Sequence, residues 1–177
     1  MTMINQAYLQ VNTGRFGSGD AAQSALKLYR RLRAQAWIEK ARSSVIGRSR
    51  NLIDLESVEG SVTGSHYLGT RAVPVRQIRG SEGRCKDFDA HFRPLSPINK
   101  SRWMSVAIAH IKGVAMPRVE LIQVGDVYFV RDGHHRISVA RALGQEYIDA
   151  DVTVWDVSGP RPWERAPRSG SLAVQPA

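Results

Sequence analysis

The sequence has one cysteine, Cys85, no run of about 18 apolar residues, and few acidic residues for its basic content. Each scarcity removes a class of protein. A single cysteine excludes an internal disulfide framework and a Cys-rich zinc site, which fits a reducing compartment. Without a long apolar run no membrane-spanning helix is expected. The polar first ten residues also lack the basic-then-apolar order of a secretory signal, so a cytoplasmic location is expected. The shortage of acids, 16 Asp and Glu against 25 Lys and Arg, leaves a net charge of +9 and favours anionic partners such as nucleotides, nucleic acid or acidic lipid headgroups. Hydrophobic residues at 42% and charged residues at 23% are usual for a soluble globular chain, and 177 residues suffice for one domain with a core.

The positive charge is concentrated. Lys27, Arg30, Arg31, Arg33, Lys40, Arg42, Arg48 and Arg50 face the single acid Glu39, so this segment alone carries +7. Four regions are expected: a flexible leader over 1–19, a basic helical arm over 20–56, a folded domain over 57–156 and a disordered tail over 157–177. Asp20 is a candidate N-cap for the arm. Leu26, Tyr29, Leu32, Trp37, Ile38, Ala41 and Val45 recur at helical spacing, with Trp37 read as core and Gly47 as the stop.

Gly60, Gly64 and Gly69 among small polar residues predict a loop over 57–69. Val73, Val75 and Ile78 predict a strand, placed near a sheet edge because Pro74 cannot donate to a ladder. Gly80-Ser81-Glu82-Gly83-Arg84 then reads as a polar turn. A helix is expected over 100–112, with Trp103, Val106, Ala107, Ile108 and Ile111 as its apolar stripe and Gly113 as its stop. Residues 119–124 and 127–130 form a predicted hairpin about Gly125-Asp126. A helix over 134–143 and a strand over 147–155 complete the pattern. The fold class is therefore α+β, a small mixed sheet with packed helices preceded by a basic amphipathic helix.

The chemistry concentrates at Asp132-Gly133-His134-His135-Arg136. A strand that turns through a glycine into a helix presents unpaired N–H groups and the positive end of the helix dipole, a ready site for an anion. Gly133 frees the turn, the N–H groups of His134, His135 and Arg136 can converge on a phosphate, and Arg136 can grip it through two bonds. The plainer alternative is a tolerated His pair behind a capping Asp132. Adjacent histidines do not converge on one metal, and His66, His91 and His110 are scattered, so no metal site is assigned.

Residues 73–154 resemble the ParB/sulfiredoxin-like superfamily, often described as ParB-like nuclease domains. The resemblance spans about 80 of the 177 residues and rests on the strand over 73–78, Arg84 in its Gly turn, the helix ending at Gly113, the hairpin led by Pro117, and Asp132–Arg136 with Ala140. It implies that fold and a site for nucleotide phosphates. In ParB proteins the matching turn carries a Gly and an Arg, here Gly133 and Arg136, and binds CTP. In sulfiredoxin the turn carries a catalytic Cys followed by His and Arg, and His134 stands in the Cys position, so that reaction is not expected. A related free serine kinase uses an Asp-Gly-His turn with ADP, to which Asp132, Gly133, His134 and Arg136 are similar. The implied ligand is a nucleoside di- or triphosphate (ATP, ADP or CTP), with Mg²⁺ as companion. Phosphotransfer or hydrolysis, with Asp132 and His134 at the reacting centre, follows as an expectation. No second nucleotide motif, helix-turn-helix or dimerisation region follows Trp155 in these 177 residues, so DNA clamping of the ParB kind is not expected.

Gly80, Ser81 and Arg84 form a candidate second ligand loop, in which backbone amides nest an anion and Arg84 reaches the nucleotide. Glu82 is a candidate base, while Asp87 and Asp89 are weighed as a Mg²⁺ or base pair against ordinary surface acids. Cys85 beside Arg84 and Lys86 would have a lowered thiol pKa if exposed, and receives no catalytic role. The alternative function is DNA binding, in a partition-like or regulatory accessory protein whose arm contacts phosphates through Arg30, Arg31, Arg33 and Lys40. The same arm could meet an anionic membrane or a partner protein, or simply cover the domain.

Overall fold

The computed structural model describes residues 18–46 and 51–164. The leader up to residue 17, Gly47 and the tail beyond residue 164 lie outside them. Helix α1 (Ser18–Ile46) has no proline in its span and begins with Asp20 in its first turn, favourable to the helix dipole. Its buried stripe is Ala21, Ala25, Tyr29, Leu32 and Ala36, spaced by fours and threes. Trp37 lies one residue, about 100°, beyond that stripe and is 71% exposed, so its placement in the core is corrected. Small Ala36 lies against the body and the large ring turns outward.

After α1 the chain enters a six-stranded mixed sheet of order β1-β3-β5-β4-β6-β2. β1 (Ile53–Asp54) pairs in parallel with β3 (Ile78–Ser81), which pairs in parallel with β5 (Val127–Asp132). β5 forms the expected hairpin with β4 (Val119–Val124). β4 runs parallel to β6 (Tyr147–Val157), and β6 antiparallel to β2 (Val62–Pro74). The chain thus joins the sheet before residue 57, through β1 and a short helix α2 (Glu56–Glu59).

The loop expected over 57–69 is corrected as well. Most of it belongs to β2, and register shifts fall between Val62 and Gly64 and between Tyr67 and Gly69. These glycines therefore mark irregularities in a paired strand, a use of glycine that composition does not distinguish from a loop. The strand expected over 73–78 is divided. β2 ends at Pro74 on the sheet edge, a 3₁₀ turn spans Val75–Gln77, and Ile78 opens an interior strand.

Helix α3 (Lys100–Ile111) stops as expected, with Gly113 at φ 71°. Helix α4 (His134–Ala142) packs on one sheet face, where Ile137 meets Val119, Leu121, Val130 and Val152. α1 and α3 cover α4 through Tyr29, Leu32, Trp103, Ala107 and Val139. Trp103 Nε1 donates to Ser138 Oγ at 2.8 Å, satisfying the one polar atom of a fully buried indole. The other sheet face buries Ile122, Val124, Val127 and Phe129 beneath Leu55, the N-cap of α2, and Val58 within it, with Trp163 against Phe129. Trp163 thus gives structure to the start of the segment expected to be a tail. Among the described residues no helix is long and apolar enough to cross a membrane.

Candidate functional site at the β5–α4 turn

β3 and β5 are parallel neighbours, so the loop after Ser81 and the turn at Gly133 emerge side by side from their C-terminal ends. Ligands of open α/β sheets collect at this kind of edge. Gly133 has φ 98°, in the left-handed region, and serves as the N-cap of α4 without a side-chain capping bond. The first helical bond runs from Ile137 N–H to Gly133 O at 3.0 Å. The N–H groups of His134, His135 and Arg136 therefore precede the i−4 ladder, as an anion site at a helix N-terminus requires. Asp132 is not the cap, because its Oδ2 accepts from Arg136 Nη2.

The histidine side chains do not stand open to solvent. Both are almost fully buried. His134 Nε2 shares a 2.7 Å hydrogen bond with Ser81 Oγ, and its ring stacks on Phe88 at 6.1 Å. His135 meets the same Phe88 edge-on at 5.4 Å, and neither of its ring nitrogens has a hydrogen-bond partner among the described residues. Burial is the main cause that lowers each pKa from 6.5 to about 4; next come Arg84 for His134 and Arg102, then Arg84, for His135. Both rings are neutral at pH 7. Each can accept a proton or hydrogen bond at a ring nitrogen, and neither adds standing charge.

Arg136 and Arg84, both expected at the phosphates, are held differently. Arg136 Nη1 donates to Pro117 O at 2.6 Å and to Arg118 O, and Nη2 is held by Asp132. This fastens the turn to the residues before β4 and occupies the guanidinium that sequence spacing had aimed at a phosphate. Arg84 is more open. Its N–H donates to Ser81 Oγ at 3.2 Å, its side chain lies 3.6 Å from Asp87, and its charge reaches both histidines. Arg102, near the start of α3, was not singled out in the sequence, since α3 and α4 become neighbours only through packing.

The remaining candidates are distributed as follows. Gly80 and Ser81 are buried at the end of β3 and do not form a turn, which corrects that expectation. A Cβ on Gly80 would come within 2.1 Å of the Phe129 ring and 2.9 Å of Ile53 O, so this glycine serves close strand packing. Glu82 accepts from Arg131 Nε at 3.0 Å. Asp89 is buried and holds its own loop, accepting from His91 N–H, Arg93 N–H and Arg93 Nε. Asp87 stays half-exposed between Arg84 and Asn99. The Cys85 thiol lies near Ser81 O and Ile53 O, and burial, reinforced by Asp54, raises it to about 11, so the exposure on which a lowered pKa depended is not met. Among the described residues no group of three or more His, Cys, Asp or Glu is placed to hold a metal ion.

Arg30, Arg31 and Lys40 are exposed on α1, whereas Arg33 turns toward the body and donates to Leu95 O and Pro94 O. No family model, curated protein or solved structure matches the chain.

Proposed function

We propose that the β5–α4 turn binds the phosphates of a nucleoside di- or triphosphate, such as ATP, ADP or CTP, as the resemblance to ParB/sulfiredoxin-like domains implies. The observation that carries this reading is the left-handed Gly133 at the head of α4, with three N–H groups ahead of the helical ladder. Arg84 supplies the side-chain cation, because the Arg136 guanidinium already holds Pro117, Arg118 and Asp132. Mg²⁺, in this reading, is carried on the phosphate oxygens, as is common for that ion. Asp132 and neutral His134 are the groups for proton handling in phosphotransfer or hydrolysis. Ser81 holds His134 in place, and Glu82, paired with Arg131, lies beside the loop.

A thermal-shift screen of ATP, ADP, CTP and GTP, with and without Mg²⁺, tests this. A ligand at a hundredfold its Kd should stabilise the fold by about 2.7 kcal/mol. Arg84→Ala should weaken that ligand about tenfold, the scale of one charge-assisted contact. A flat response across all four nucleotides overturns the reading.

A second reading is DNA binding by α1, favoured by Trp37 standing exposed among Lys27, Arg30, Arg31, Lys40 and Arg42 on surfaces turned away from the body. Phosphate neutralisation by these side chains would make affinity for duplex DNA fall steeply with salt. Replacing Arg30 and Arg31 by Gln should flatten the log–log salt slope by about two and weaken binding at low salt. Salt-independent binding sinks this reading.

A further inference from the structure

The end of the domain away from Gly133 holds a second opening. A groove of about 780 Å³ lies between α1, the Val75–Gln77 turn, the C-terminal half of α4 and the segment leading into β6. That volume accommodates a small organic molecule. Its charge is one-sided: Arg76, Arg93 and Arg141 line it against the single carboxylate of Glu146.

The arginines differ in how their charge is met. Arg141 donates to Val75 O, Ile78 O and Ala90 O, its guanidinium lies 5.0 Å from the centre of the Phe92 ring, and it feels the charge of Asp89 without an ion pair among the described residues. Arg93 is paired with Asp89 through Nε, and its Nη2 is buried without a hydrogen-bond partner among the described residues. Among the described residues Arg141 Nε and Gln145 Oε1 are likewise buried without a hydrogen-bond partner. Arg76 is exposed and makes no side-chain hydrogen bond or ion pair among the described residues.

A helix C-terminus normally repels anions. Here three of the last four carbonyls of α4 are taken: Leu143 N–H donates to Val139 O, Gly144 N–H to Arg141 O and Gln145 N–H to Ala140 O. The cations are left to set the local field. Tyr147, 49% exposed, adds apolar surface beside them, while Leu32, Val75 and Phe92 form the buried floor.

We propose that this groove binds a small organic anion, one anionic head group on an apolar or aromatic body, with the head toward Arg76 and the Arg93–Arg141 wall and the body against the exposed ring of Tyr147. The site lies at the other end of α4 from the nucleotide turn and does not depend on it.

Isothermal titration of the full chain with phenyl phosphate, benzoate, inorganic phosphate and neutral benzyl alcohol tests the proposal. Saturable binding of phenyl phosphate or benzoate is expected, tighter than that of inorganic phosphate or benzyl alcohol. The better of the two names the head group as phosphate or carboxylate. Arg76→Glu, at an exposed position outside the core, should weaken it at least tenfold, and Glu146→Gln should tighten it two- to threefold. Arg84→Ala should leave it within twofold. Absence of saturable binding by either organic anion, equal binding of benzyl alcohol, or indifference to both groove substitutions overturns the proposal. Binding lost in Arg84→Ala but kept in Arg76→Glu places the anion at the Gly133 turn and also overturns it.

Discussion

Replacing Gly133 by alanine is expected to lower the unfolding free energy by about 3 kcal/mol and to abolish any nucleotide-induced stabilisation. Two independent costs add. At φ 98° an L-residue occupies a disfavoured region, worth roughly 1–2 kcal/mol. The new Cβ would also stand 2.5 Å from Val119 Cγ1 and 2.9 Å from Val119 Cβ. Val119 is fully buried at the start of β4 and cannot swing aside, so overpacking of about 1–3 kcal/mol follows. Reduced freedom of the unfolded chain returns about 0.4–1 kcal/mol. Gly83→Ala is the matched control, with φ 72° and open space around its Cβ position, and should cost only about 1 kcal/mol. Urea unfolding of the three proteins measures the difference. Equal losses at Gly133 and Gly83 would show that the tight fit against Val119 does not govern the turn.

The second large effect is a loss of stability in mild acid. His134 and His135 have folded-state pKa values of about 4 against 6.5 for the free side chain, because burial and nearby arginines disfavour the imidazolium. Between those values the unfolded chain binds more protons than the native one, so stability rises with pH. The stabilisation is fully present above pH 6.5, declines as pH falls toward 4, and levels off below that. Each ring should cost about 2 kcal/mol by pH 5 and about 3 kcal/mol in full. His110, lowered by burial on α3, acts in the same direction. Urea midpoints between pH 7.5 and 5 lie above most carboxylate titration and isolate the effect. A His134→Gln, His135→Gln double substitution should flatten the profile over that range. A wild-type midpoint unchanged from pH 7.5 to 5 would mean that these rings are more hydrated than the packing against Phe88 implies.

The same residues show how far sequence reading reaches. The β4–β5 hairpin, the Gly133 turn, α4 and the Gly113 stop were legible because each depends on neighbours within a few residues. Gly125 permits the hairpin, Gly133 the left-handed turn, and apolar residues recur at the helical period. β2 was missed because Gly64 and Gly69 carry a loop signal, while the pairing that makes this stretch a strand comes from β6, some 80 residues later. Trp37 was misplaced by one position on the helical wheel, where residues on either side of a stripe boundary look alike.

What the sequence by itself determined is the local chemistry: a basic α+β chain with a strand, a glycine and a helix whose N-terminus presents three N–H groups. What only the tertiary structure decided is which side chains stand there and in what state. Ser81 meets His134 across 53 residues, Arg84 approaches both histidines from the β3 loop, and Arg136 is drawn away to Pro117, Arg118 and Asp132. The physical reason is the range of the forces. Turn and helix preferences act over a few residues, whereas burial, which neutralises the histidines, and the partners of each arginine depend on segments far apart in the chain.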